Sequence, residues 1–330
     1  MILLGIDTSC DDTSASVVKD RTQILSNIVS SQTDIHAKFG GIVPELASRR
    51  HIEMIVPIVN EAMQQAAVSF SDLAAVAVCH GPGLIGSLLV GCSFAKAVCF
   101  SQDVPLVGVN HLEGHILSLF LEEKRPEFPF LSLIVSGGHT SLYIAEGYGK
   151  YTELGRTRDD AAGEAFDKVS KLLGLEYPGG PVIDRLAREG NPQAIRFPRA
   201  YLPESFDFSF SGLKTAVLNH RMKHGMNPAH IPDIAASFQS AVVDVLVRKS
   251  EWAIKKKGIK RLTLSGGVSA NSLLRMKMRE MGKDRGVEVY IPSKELCTDN
   301  AAMIAAAGYH HAIEKDFAHL DLNPRAYLPL

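Results

Sequence analysis

Two widely separated stretches of the chain are written to one plan. Ile2-Leu3-Leu4-Gly5-Ile6 is an apolar run of buried-strand length, Asp7-Thr8-Ser9-Cys10-Asp11-Asp12-Thr13 is a polar turn, and Ser14-Ala15-Ser16-Val17-Val18 returns as a second strand. Phe130-Leu131-Ser132-Leu133-Ile134-Val135, then Ser136-Gly137-Gly138-His139-Thr140, then Ser141-Leu142-Tyr143-Ile144-Ala145 repeats it. A repeated hairpin with helical stretches between predicts an internally duplicated α/β chain, two similar halves facing a cleft with both hairpin tips pointing into it. Length agrees, because single cores stop growing at about 250–300 residues and this chain has 330. The halves are placed at 1–128 and 129–330, with a helical insertion over about 155–235 and part of the last helix packing back on the first half.

Charge and cysteine content narrow the function classes. A net charge of −1 gives no global field to recruit nucleic acid. Such contact would need local patches, and the candidates are Lys255, Lys256, Lys257, Lys260 and Arg261, or the helix with Arg275, Lys277, Arg279, Lys283 and Arg285. Each is equally an ordinary solvated helix face. Cys10, Cys79, Cys92, Cys99 and Cys297 are odd in number, scattered and mostly in apolar surroundings, which fits buried thiols and no disulfide framework. No apolar run is expected to approach the roughly 20 residues of a membrane span, and the start lacks a basic n-region and cleavage site. The expected location is the cytoplasm, with no membrane partner.

Between the hairpins, 44 to about 67 carries Leu46, Ile52, Ile55, Val56, Ile58, Val59 and Ala62 at helical spacing. Residues 73–78 read as a strand leading into Gly81-Pro82-Gly83-Leu84, a glycine-rich turn that either opens a helix toward an anion or simply turns the chain. Strand 106–109 delivers the chain to His111. After the second hairpin, 155–174 reads as a helix with Asp167 beside its apolar stripe, and Tyr177-Pro178-Gly179-Gly180 as a constrained turn opening a helix that carries Asp184. Phe206-Asp207-Phe208-Ser209-Phe210 alternates as a strand does. A long amphipathic helix over 234 to about 256 precedes strand 262–264, turn 265–271 with Asn271, and a helix from Ser272. That turn resembles a nucleotide-cradling loop but lacks both glycine signatures. Thr298-Asp299-Asn300 precedes a small-residue helix, 301–308, that must pack very closely.

The chemistry-bearing stretch is His111-Leu112-Glu113-Gly114-His115. Two histidines four apart on a helix stand about 40° apart round its axis, so both imidazoles can reach one metal ion. Zinc proteases share that spacing but put a glutamate beside the first histidine; Glu113 stands about 200° round from either, facing away. With 12 histidines in the chain, an i,i+4 pair is also a mild coincidence. Asp299 is by position a helix N-cap or first-turn acid and a candidate third ligand.

Taken together, Gly5-Ile6-Asp7-Thr8-Ser9, Gly40-Gly41-Ile42-Val43-Pro44-Glu45, Gly81-Pro82-Gly83-Leu84, Asn110-His111-Leu112-Glu113-Gly114-His115, Val135-Ser136-Gly137-Gly138-His139-Thr140, Phe208-Ser209-Phe210-Ser211-Gly212-Leu213-Lys214-Thr215, Ser265-Gly266-Gly267-Val268-Ser269-Ala270-Asn271 and Cys297-Thr298-Asp299-Asn300-Ala301 resemble one family over essentially the whole chain. It is the universal tRNA threonylcarbamoyl-transferase family, called TsaD in bacteria and formerly labelled O-sialoglycoprotein endopeptidase. It lies within the actin, Hsp70 and sugar-kinase (ASKHA) superfamily.

That resemblance implies a divalent metal, iron in preference to zinc, held by His111, His115 and Asp299. It implies an adenylate in the inter-domain cleft against Val135, Ser136, Gly137, Gly138, His139, Asp167, Gly180, Asp184 and Asn271. Asp7, Thr8, Ser9 and Asp11 are expected as a phosphate loop, and ATP or another adenine nucleotide as an alternative occupant. The implied reaction moves threonylcarbamoyl from threonylcarbamoyl-AMP, supplied by a separate synthase, to N6 of adenosine 37 in tRNAs reading codons that begin with A. The implied partners are tRNA, a paralogous TsaB-like protein docking on the N-terminal lobe, and a TsaE-like P-loop ATPase; the apolar helix over about 45–67 is the candidate for that dimer surface, or packs ordinarily on its own sheet. The rivals are an ATPase or kinase of the same superfamily, which has no need of His111, a metalloprotease, which lacks its base, and a non-catalytic paralogue, which would lack the metal triad.

Overall fold

The computed structural model describes residues 1–225 and 227–330. In chain order the elements are β1 (Ile2–Asp7), β2 (Asp12–Lys19), β3 (Gln23–Ser31), α1 (Thr33–Ala37), α2 (Pro44–Ala66), β4 (Ala75–Gly81), α3 (Ile85–Gln102), β5 (Leu106–Asn110) and α4 (His111–Leu117). They continue with β6 (Phe130–Val135), β7 (Thr140–Gly147), β8 (Lys150–Arg156), α5 (Ala162–Leu172), α6 (Gly179–Ala187), α7 (Ser211–His224), α8 (Ile231–Lys257), β9 (Arg261–Ser265), α9 (Ser272–Arg285) and β10 (Glu288–Tyr290). The chain ends with α10 (Lys294–Cys297) and α11 (Ala301–Glu314).

The chain divides into two compact units, Met1–Arg125 with Pro292–Leu330, and Pro126–Ile291. The first division falls near the expected 128/129. The difference is at the other end, where the whole of 292–330, and not only part of the last helix, joins the first unit. The reason is steric. Ala301 and Ala305 of α11 lie where a side chain on Gly5 of β1 would be, and Gly308 packs on Ala77 of β4.

Both units carry a five-stranded sheet of one topology, β3-β2-β1-β4-β5 in the first and β10-β9-β6-β7-β8 in the second. In each, the first strand pairs antiparallel with the second of its meander and parallel with a later strand on its other side. The hairpin that the sequence repeats is therefore the seed of a repeated sheet.

In the first unit the apolar alternation of β1 sorts its side chains between faces. Leu4 and Ile6 pack with Ile55, Ile58 and Val59 of α2 and Cys92 and Ala95 of α3, while Gly5 faces α11. Burying Leu4 and Ile6 contributes on the order of 2 kcal/mol each. Helix α3 is the one helix among the described residues long and apolar enough to cross a membrane by length and composition, which departs from the sequence expectation. Its Leu88, Gly91, Cys92, Ala95 and Cys99 are buried in the unit.

The second unit's core joins β6 and β9 to α5 and α8 through Leu131, Leu133, Phe166, Phe238, Leu246 and Leu264. Two expectations fail here. Residues 155–174 are not one helix: β8 runs to Arg156 before α5 opens at Ala162, because Gly155 presses on the backbone of Phe206 and Asp207, where no side chain fits. The alternating aromatics are not a strand. Phe208 makes a single bridge to Thr157, and Asp159 collects Ser209 Oγ, Phe210 N, Ser211 N and Ser211 Oγ to start α7 instead.

Candidate metal centre and family

Strand β5 delivers the chain to Asn110, whose Oδ1 accepts from Leu112 N at 2.9 Å and so caps α4. Its Nδ2 donates to Leu328 O at 3.1 Å, tying the start of this short helix to the final residues. Helix α4 then presents His111 and His115 on one face, ring centroids 4.7 Å apart. Asp299, just ahead of α11, brings Oδ1 to 3.2 Å from His115 Nε2 and 3.6 Å from His111 Nε2. The position expected of Asp299 as a cap belongs to Asn300, whose Oδ1 accepts from Met303 N at 3.1 Å.

The burial of these groups tests the metal reading. His115 is wholly buried, yet neither of its ring nitrogens makes a hydrogen bond. Asp299 Oδ1 stands 3.2 Å from its Nε2, within ion-pair reach but without a hydrogen bond. A buried imidazole left without a hydrogen bond is costly unless another group takes up its nitrogens. Two imidazoles and a carboxylate suit a divalent metal, and the three donor atoms lie within 4.8 Å of one another. Burial pushes the His111 imidazole down, but the Asp299 and Asp7 carboxylates outweigh it and hold its pKa at about 9. Burial and neighbouring carboxylates, Asp299 among them, raise Asp11, and raise Asp12 to about 7. Several carboxylates are thus gathered around the three donors.

The residues expected as a phosphate loop lie at the first hairpin tip. Asp7, Thr8 and Ser9 are buried. Thr8 Oγ1 donates to Ser87 O at 2.7 Å and accepts from Gly91 N at 3.2 Å, and Asp7 Oδ1 accepts from Ser9 N at 2.9 Å. These side chains serve the unit's interior, and of the four only Asp11 is partly exposed.

The other expected residues all lie in the second unit. Val135 closes β6, and Ser136 locks the tip by donating its N to His139 O at 2.8 Å and accepting from His139 N at 3.1 Å on Oγ. Gly137 and Gly138 are exposed, with nothing within 4 Å of where a Cβ would stand, and Gly180 at the start of α6 is equally open. Asp167 of α5 accepts from Gly179 N at 2.7 Å. Asp184 of α6 accepts from Ser272 Oγ at 2.7 Å, joining α6 to the start of α9. Gly266 lies against the Val135 backbone, so the tip and the 265–271 turn meet. Asn271 caps α9 through Oδ1 and donates Nδ2 to Gln239 Oε1 at 2.7 Å. Gln239, a buried polar side chain on α8, is the neighbour the sequence reading missed. Only its polarity within an apolar helical stretch could have marked it.

A family model for TsaD, tRNA N6-adenosine threonylcarbamoyltransferase, matches residues 23–306. The protein of that name from Thermodesulfovibrio yellowstonii is 58% identical over 335 aligned positions covering 100% of both chains. That from Clostridioides difficile is 54% identical over 328, covering 98% of this chain and 96% of its own. The chain belongs to the TsaD family.

Among solved structures, full-length HypF in a phosphate- and nucleotide-bound form is similar with a TM-score of 0.63 at 16% identity, over 94% of this chain and 55% of that one. The ROK hexokinase of Thermus thermophilus gives 0.55 at 14% identity, over 95% and 100%. At such identities the likeness establishes the actin-like fold alone. A TsaD-family chain with this geometry does not favour the protease rival: Glu113 Oε2 is engaged with His311 Nε2 at 2.9 Å and so turned from the histidine pair. The kinase rival leaves the buried His111 and His115, with the partly exposed Asp299 beside them, without a purpose.

Proposed function

We propose that this chain transfers the threonylcarbamoyl group from threonylcarbamoyl-AMP to N6 of adenosine 37 in tRNAs that read codons beginning with A. The observation that carries the reading is the convergence of His111, His115 and Asp299, with neither His115 nitrogen hydrogen-bonded, in a full-length relative of named threonylcarbamoyltransferases. His111 and His115 offer neutral nitrogens and Asp299 a carboxylate oxygen to one divalent ion, a donor set that suits iron or zinc. Such an ion supplies Lewis-acid polarisation of a carbonyl oxygen.

The rest of the work falls to this chain's own residues. An aryl amine is a poor nucleophile, so positioning must supply much of the acceleration. The glycines 137, 138 and 180, with no atom near where a side chain would stand, are suited to an adenylate, with ATP or another adenine nucleotide as a further occupant. Asp167 and Asp184 are the acids proposed to accept from the adenylate's hydroxyls. The N6 lone pair attacks the carbamoyl carbon, a C–N bond forms, the C–O bond to phosphate breaks, and AMP leaves with the electron pair. The amine proton passes to the departing phosphate.

The reaction is cytoplasmic, its acyl donor comes from a separate synthase, and a TsaE-like P-loop ATPase resets the complex. A TsaB-like paralogue docks on the first unit at α2, where Ile52 and Val56 are 65% and 50% exposed beside buried Ile55 and Ile58.

The test is labelled threonine transferred to tRNA in the presence of bicarbonate, ATP, the synthase and the partner proteins. Wild type should give a nucleoside carrying the threonylcarbamoyl mass. His111→Ala should fall at least about a hundredfold, the scale of losing one group that stabilises a developing oxyanion. No transfer by metal-loaded wild type in the complete system refutes the reading.

A further inference from the structure

The hairpin tip of the first unit ends in an acid that the established plan of the fold does not require. Asp7 closes β1 and pairs with Ser14; in the duplicated sheet, the residue that closes β6 and pairs with Thr140 is Val135. One fold position therefore carries a buried carboxylate in one unit and an apolar side chain in the other.

Asp7 is 1% exposed, and its two oxygens are not equivalent. Oδ1 is fixed by Ser9 N, whereas Oδ2 is buried, makes no hydrogen bond, and lies 3.4 Å from His111 Nδ1. The opposite nitrogen of the same ring, Nε2, is the one facing Asp299. Ser9 Oγ stands 3.1 Å from Nδ1 and fits either tautomer, since a hydroxyl both donates and accepts. A carboxylate only accepts. Its charge beside Nδ1 therefore places the ring proton there and leaves the Nε2 lone pair directed at the donor group.

We propose that Asp7 is a positioning residue for the metal centre, acting through His111 by fixing its tautomer and ring orientation. The inference rests on the metal reading of His111, His115 and Asp299. It takes the loop acid of the first hairpin away from phosphate binding and makes it the outer partner of a metal-binding histidine.

The test is titration of apo-protein with Co2+, reading dissociation constant and visible absorption for wild type, Asp7→Ala, Asp7→Asn and His111→Ala. Loss of an outer partner of this kind weakens metal binding by about 10–100-fold. Asp7→Asn keeps the volume, so the apo-protein should fold as wild type, yet its amide can donate to Nδ1 and favour the wrong tautomer. It should bind Co2+ no better than Asp7→Ala, and 15N spectra of its His111, taken with the ring in its neutral form, should show the proton moved to Nε2. Wild-type affinity and spectrum in both Asp7 variants, with binding lost only in His111→Ala, overturns this proposal and leaves the metal reading standing. Binding unaffected by His111→Ala overturns both.

Discussion

His311 stands between two acids. Its Nε2 is 2.9 Å from Glu113 Oε2 on α4, and its Nδ1 is 2.9 Å from Asp316 Oδ2. The bond to Glu113, with Asp316 adding to it, outweighs burial and lifts the imidazole from 6.5 to about 9. A histidine whose folded pKa is raised takes up a proton on folding between those values. The stability it adds is fully present below about pH 6.5 and is lost as pH rises through about 9. Asp316 is 71% exposed, so the buried Glu113 contact should dominate. Melting temperature should therefore fall more between pH 7 and pH 10 in wild type than in His311→Gln. Parallel falls in the two proteins would show that the pair contributes nothing. The sequence reading had Glu113 facing away from the metal, and helical periodicity alone was enough for that. Its partner, on a helix nearly two hundred residues later, was not legible, because periodicity says which way a side chain points and not what meets it.

At the scale of elements, α11 packs on β1 so closely that Gly5 has no room for a side chain. A Cβ built on Gly5 would stand 2.9 Å from Ala305 Cβ, nearer than real Cβ atoms come, with the Ala301 carbonyl in the way as well. Neither obstacle is the end of a flexible side chain, so Gly5→Ala must push the helix as a body. Such overpacking costs about 1–3 kcal/mol. Because Asp299 immediately precedes α11, the same shift should weaken metal binding. Denaturant midpoint and metal affinity are expected to drop together in Gly5→Ala; a lower midpoint with wild-type affinity would show that Asp299 is held independently of the helix. The closeness of this packing was legible, since a helix of alanines and glycine has little else to offer. So were α2 and α8, whose long apolar stripes keep a helical period. The starts of α5 and α7 were not, because Gly155 and Asp159 act there through residues about fifty positions along the chain, and no local pattern records such contacts.

At the scale of the whole molecule, one sheet plan is used twice for different chemistry. The first tip is buried, with Asp7 and Ser9 set against His111, and the second is open, with Gly137 and Gly138 exposed. The repeat was visible in the sequence because both tips keep the strand-turn-strand pattern that the sheet requires, but their divergence depends on what packs behind each tip. All three metal donors belong to one unit, drawn from both of its sequence segments, with His111 and His115 before the second unit and Asp299 after it. A metal bound there ties the two segments together only in the folded state. At a concentration one hundred times the dissociation constant it stabilises that state by about 2.7 kcal/mol. Amide exchange in β1, α4 and α11 that proceeds by opening of the first unit should then slow by about a hundredfold on metal addition. Amides of β6, β9 and α8, in a unit with its own core and none of the donors, should keep their rates. Unchanged exchange in α4 and α11 at saturating metal would mean that the ion does not bind where the three donors converge. Slowing restricted to the second unit would move the metal to a site on that unit, and with it the Lewis acid of the transfer reaction.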